Sequence, residues 1–130
     1  MAIYGLGAYY LEDVTDEFLA EEVACVGWDK ADAPALHNMF AHIKIGDVIY
    51  LKSHPAGLGL TIKAVGIVVH DQVTSSGLGE CLKVKWIWVG KKELGKIKDK
   101  YNVRNNTMYE EHNPVIQKTV VNLLLSRCRK

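Results

Sequence analysis

The sequence predicts an α+β fold: a small mixed β-barrel with short helices packed at its ends. Three observations predict it. The stretch Ile45 to His70 holds two apolar, β-prone runs separated by only a few residues, too few for a crossover helix. Cys81 to Val89 alternates, with Leu82, Val84, Trp86 and Trp88 expected on one face. Short helical patterns interrupt or follow these strands rather than alternating with each of them. At 130 residues the chain fits a single domain spanning residues 1–130.

The elements follow in order. Ala2 to Gly7 reads as a first short strand ending in glycines. Asp13 to Glu22 has capping residues, early acids, and apolar Val14, Phe18 and Leu19 at helical spacing. Val23 to Val26 is a second short strand. Asp32 is placed to cap a second helix, with Pro34 in its first turn and Leu36, Met39 and Phe40 on one face. Gly46-Asp47 signals a turn into the strand Val48 to Lys52. A loop from His54 to Gly59 leads to the strand Leu60 to Val69, whose Gly66 suits a bulge. Asp71 to Gly79 reads as a polar loop. Lys91 to Tyr101 reads as a loop or irregular helix, Asn106 to Glu110 as a last strand, and Pro114 opens a final helix.

Composition narrows the function classes. Hydrophobic content of 48% and charged content of 24% are ordinary for a soluble protein. No apolar run approaches a membrane span, and the N-terminal residues lack the basic start and apolar stretch of a signal peptide, so a cytoplasmic protein is expected. Cys25, Cys81 and Cys128 are far apart and odd in number, which reads as reduced structural thiols. The net charge of +1 conceals a split: residues 1–40 hold eight acids and one base, residues 41–130 fifteen bases and seven acids. That division predicts an acidic and a basic face if the two halves separate in space; the alternative is that both are solvated surfaces pairing with each other.

The central stretch resembles the PUA-like superfamily and, within it, the EVE-type domains. The resemblance rests on Ile43-Lys44-Ile45, the Gly46-Asp47 turn, the strand Val48-Ile49-Tyr50-Leu51-Lys52-Ser53, and the long strand Ile62 to Val69 with Gly66 inside it. Gly5, Gly7, the Gly27-Trp28-Asp29 turn and Val84-Lys85-Trp86 extend it over residues 1–90. The segment from Lys91 to Arg104 departs from the pattern. The resemblance implies binding of RNA or DNA, with a modified or flipped base read in a pocket. It also implies a phage, prophage or restriction-associated setting.

A base pocket needs aromatic faces for stacking and a few polar groups for the base edge. Candidate stackers are Tyr9, Tyr10, Trp28, Trp86 and Trp88. Candidate edge readers are Asp29, Lys52, Ser53 and His54, with Gly7 allowing close approach to the backbone. Since Trp86 and Trp88 share a face with Leu82 and Val84, at least one is expected in the core. Lys91, Lys92, Lys96, Lys98, Lys100 and Arg104 form a basic stretch suited to phosphates.

Catalytic signatures are thin. The sequence has no GxSxG, P-loop, HExxH or GxGxxG, and its five histidines show no metal-ligand spacing, so neither a metal nor a cofactor is expected. Glu110-Glu111-His112 places acid and base side by side, but adjacent side chains diverge. The leading expectation is a non-enzymatic nucleic-acid-binding module. The alternative is a binder of a small nucleotide or nucleoside. A third, from resemblance to the related ASCH type, is a hydrolase of modified nucleosides using Lys63 and Thr61, with no glutamate clearly placed.

Overall fold

A curled, half-barrel sheet organises the chain, with its strands in the order β4-β8-β6-β5-β1-β9 and β7 added beside β8. The computed structural model describes residues 1–54, 59–99 and 103–128. In chain order the elements are β1 (Ile3–Gly7), β2 (Tyr9–Tyr10), β3 (Glu12–Asp13), α1 (Thr15–Glu21), β4 (Val23–Val26), α2 (Pro34–Ala41), β5 (Val48–Ser53), β6 (Leu60–Val68), β7 (Thr74–Ser76), β8 (Gly79–Gly95), β9 (Met108–Glu110) and α3 (Pro114–Cys128). β5, β6 and β8 pair antiparallel, as their short connections require. β1 and β5 run parallel, Ile3 opposite Val48, so the chain between them crosses over through α1, β4 and α2.

The sheet is buried on both sides, and alternation assigns each side chain to a face. One core holds Leu6, Ile49, Leu51, Ala64 and Val84 with Phe18 of α1 and Phe40 of α2. The other holds Val48, Tyr50, Ile62 and Val65 with Ile116, Val120 and Leu124 of α3. The Gly46-Asp47 turn forms as expected. The buried Asp47 carboxylate accepts from the backbone N–H of Ala2 at 3.0 Å and of Lys44 at 2.8 Å.

Several expectations need correction. β8 continues through Lys91 to Gly95, where the sequence suggested a loop, because β6 supplies partners as far as Leu60 opposite Gly95. The polar stretch after Asp71 contains β7, paired with the start of β8. Asp32 does not cap α2. Ala33 takes that position with no side-chain cap, and Pro34 opens the first turn. Trp86 and Trp88 do not share a face. A register shift falls between Val65 and Gly66, so that Val65 faces Trp88 and Gly66 faces Trp86. Trp86 packs on the α1/α2 side and Trp88 on the α3 side. Gly66 is required there: a Cβ on it would lie 2.6 Å from Val84 Cγ1 and 2.8 Å from Trp86 Cε3.

The cysteines also differ from expectation. Cys25 of β4 lies directly opposite Cys81 of β8, and the two form a disulfide with Cα atoms 4.1 Å apart. Both are buried. The pairing follows from strand register, which spacing along the chain does not reveal.

Candidate functional site at the hairpin end of the sheet

Where β1 ends, the chain makes a two-stranded hairpin. β2 and β3 pair Tyr9 with Asp13 and Tyr10 with Glu12, leaving Leu11 at the tip. Two polar contacts fix the ribbon. The Val14 N–H donates to the Ala8 carbonyl at 2.9 Å, and the Lys63 ammonium donates to Asp13 at 3.1 Å. Asp13 also accepts from the Thr15 N–H at 2.9 Å. Its own burial would raise its pKa, but these hydrogen bonds from Thr15 and Lys63 outweigh that and lower it. Leu11 has φ 64° and is 98% exposed. A left-handed conformation costs a residue with a Cβ roughly 1–2 kcal/mol.

The hairpin meets the turn after β4. Trp28 is 56% exposed, yet it is held at two points. Its indole Nε1–H donates to Thr107 Oγ1 at 3.2 Å, and its carbonyl accepts from His37 Nε2 at 2.5 Å. Tyr10 packs edge-on against Phe18, with ring centroids 6.0 Å apart. Its hydroxyl has no hydrogen-bond partner among the described residues, and burial pushes its pKa up to about 12. Gly27 makes this packing possible, since a Cβ there would lie 2.8 Å from Tyr10 Cζ. The result is an open cavity of about 260 Å³ lined by Tyr9, Tyr10, Leu11, Gly27, Trp28 and Thr107.

Two further depressions lie nearby, of which the first shares Trp28 and Thr107 with this cavity and the second shares no lining residue with it. One of about 480 Å³ lies beyond Trp28 and includes Asp32, Met39, Asn105, Asn106 and Thr107. The other, about 550 Å³, begins at Asp13 and includes Ser53, Thr61, Lys63, Lys91 and Glu93. The structure therefore brings together Tyr9, Tyr10 and Trp28 but places Ser53 in the depression across the hairpin. Asp29 lies in the exposed turn beside Trp28, and its carbonyl accepts from the N–H groups of Asp32 and Ala33, both at 3.0 Å. His54 Nδ1 lies 2.7 Å from Asn105 Oδ1, which ties the end of β5 to the 103–107 turn. Thr107 and Asn105 were missed in the sequence, where they lie in a polar stretch with no periodic signal.

Three groups of candidates take different roles from those expected. Trp86 donates from Nε1 to the Phe18 carbonyl at 3.1 Å, and neither it nor Trp88 lines the cavity. Arg104 is no phosphate ligand: it is 4% exposed and held by Asp99 at 2.9 Å and Glu111 at 2.5 Å. Lys91, Lys92, Lys96 and Lys98 are exposed, and Lys100 lies outside the described residues. Among the trio read as acid and base, Glu111 is buried in the Arg104 cluster, while His112 Nε2 stands 3.9 Å from Glu110.

Lys52 is also buried, at 9% exposure. Its ammonium donates to the Arg104 carbonyl at 2.9 Å and lies 5.9 Å from the Tyr109 ring centroid. A Cβ on Gly7 would stand 3.7 Å from that nitrogen, an ordinary contact distance, so the space beside Lys52 does not require glycine there. Burial lowers the Lys52 pKa to about 8. Between that value and the ordinary lysine range, the unfolded chain binds a proton that the native chain does not. Stability should then rise with pH. The raised tyrosine pKa values act oppositely above about pH 10, where an unfolded tyrosine begins to ionise. The rise is thus expected from about pH 8 to 10 in urea unfolding and should be absent in Lys52→Met.

Comparison of the sequence with protein-family models and with curated proteins finds no match. Among the described residues, no helix is long and apolar enough to cross a membrane, and no group of three or more acidic, histidine or cysteine side chains is placed to hold a metal ion.

Proposed function

We propose that the protein is a non-enzymatic nucleic-acid-binding module that takes a modified or flipped base into the cavity of Tyr9, Tyr10, Gly27, Trp28 and Thr107. The observation that carries this reading is the exposed indole of Trp28, held through its Nε1–H and through the residue's own backbone carbonyl beside two tyrosines. An aromatic face held in place loses little entropy on stacking, and base stacking contributes roughly 1–3 kcal/mol. Phosphates flanking the base would reach Lys91 in the depression beyond the hairpin, and the exposed Lys92 and Lys96 after it. A free nucleotide or nucleoside in the same cavity is the alternative. Retention of a nucleotide-sized mass in native mass spectrometry would favour it.

Fluorescence anisotropy with plain and methylated oligonucleotides at low salt tests the reading. Binding is expected, and Trp28→Ala should weaken it by about tenfold to a hundredfold, from the loss of one stacking face. No binding to any oligonucleotide, together with no effect of Trp28→Ala, would overturn it.

One observation favours a second reading, hydrolysis of modified nucleosides. Thr61 pairs with Glu93 across β6 and β8, and both line the depression that holds Lys63. Lys63 is engaged by Asp13 and Glu93 lies 3.5 Å from Lys91, so a substrate would have to displace these partners. Turnover of acylated nucleosides that is lost in Lys63→Ala would establish this reading.

A further inference from the structure

Leu11 is poorly explained by folding alone. It stands at the tip of a two-residue-per-strand hairpin, is almost wholly exposed, and adopts a left-handed φ that glycine or asparagine would hold with less strain. The tip is also one wall of the aromatic cavity. An apolar side chain that gains nothing by burial and strains the backbone is suited to contact made outside the chain.

We propose that Leu11 is a wedge that enters duplex DNA and fills the gap left when a base swings into the adjacent cavity. This rests on the base-binding reading of that cavity. Removing a base from a stack leaves an apolar slot, and proteins that open base steps insert leucine, isoleucine, phenylalanine or methionine there. A two-stranded ribbon fits the grooves of B-form DNA, whereas the deep major groove of an RNA helix admits little. The hairpin is braced for such a load by the Asp13–Lys63 pair and by the Val14 to Ala8 hydrogen bond at its base. Asp13 is thereby neutralised. Lys91, on the far side of the hairpin, is placed for the backbone.

The test uses the full chain and three probes of one sequence. These are a DNA duplex with a single mismatch at the target base and 2-aminopurine beside it, the corresponding single strand, and the RNA duplex. The protein should bind the mismatched DNA duplex with a rise in 2-aminopurine fluorescence. Leu11→Ala should lower duplex affinity by about tenfold or more and abolish the rise, with a much smaller loss of single-strand affinity from the altered cavity wall. Leu11→Phe should keep both. Leu11→Gly should raise the Tm, because its backbone strain is relieved, and still lose duplex binding. The wedge is overturned if Leu11→Ala affects strand and duplex alike or leaves both unchanged, if the strand binds and the duplex does not, or if the RNA duplex binds as well as DNA. Absence of binding to every probe overturns the base-binding reading as well. Loss of strand binding in Trp28→Ala, with duplex binding intact in Leu11→Ala, removes only the wedge.

Discussion

Arg104→Met should destabilise the fold by about 3–5 kcal/mol, the range found when one partner of a buried ion pair is removed. The guanidinium reaches Glu111 through two nitrogens, at 3.2 Å from Nε and 2.5 Å from Nη2, and Asp99 through Nη1 at 2.9 Å. Glu111 also accepts from the Tyr50 hydroxyl at 2.7 Å and from the Asn113 N–H at 3.1 Å, and Tyr50 lies 2.7 Å from the Tyr109 hydroxyl. Burial would lower the Arg104 pKa, but Glu111 and then Asp99 outweigh it and raise it. Burial, reinforced by Tyr109 and Glu111, pushes the Tyr50 hydroxyl far above the ordinary tyrosine range. Without Arg104 the Glu111 carboxylate is left buried against neutral donors alone. The double variant Arg104→Met/Glu111→Leu should recover much of the loss, since it leaves no unpaired charge. Urea unfolding of the three proteins checks this. A loss below about 1 kcal/mol in the single variant would contradict it.

Reduction of the Cys25–Cys81 disulfide should lower stability by about 4 kcal/mol, on the chain-entropy argument for a bridge closing a loop of this length. The bridge spans a sequence separation of 56 and ties β4 to β8. β4 leads directly into the Gly27-Trp28 turn, so loosening it should also lower oligonucleotide affinity. The urea midpoint with and without a dithiol reductant, together with peptide mapping of the link, checks both the bond and its effect. Free thiols at both positions and an unchanged midpoint would contradict it.

The parts of the fold that were legible in the sequence are those in which local pattern and tertiary pairing agree. The Gly46-Asp47 turn, the β5 and β6 runs and the irregularity at Gly66 all appear where the residues place them. The aromatic cavity was legible in part, since an adjacent tyrosine pair and a tryptophan in a glycine turn signal loops rather than core. What escaped depends on partners distant in sequence. Lys91 to Gly95 is polar enough to read as a loop, and only β6 makes it a strand. Alternation put Trp86 and Trp88 on one face, but a register shift separates them. Arg104 reads as one more cation in a lysine-rich segment, although Glu111 and Asp99 make it the centre of a buried cluster.

The most direct test of the central claim is a titration of the isotope-labelled protein with a short methylated single strand, followed through its three tryptophan indole N–H resonances. Trp28 donates to Thr107 at the cavity wall, while Trp86 is held inside by the Phe18 carbonyl and Trp88 packs against the α3 core. The Trp28 indole and the backbone amides of Tyr9, Gly27 and Thr107 should shift together, with the Trp86 and Trp88 indoles unmoved. Shifts clustered elsewhere, with the Trp28 indole unchanged at saturating strand, would contradict a base site in this cavity.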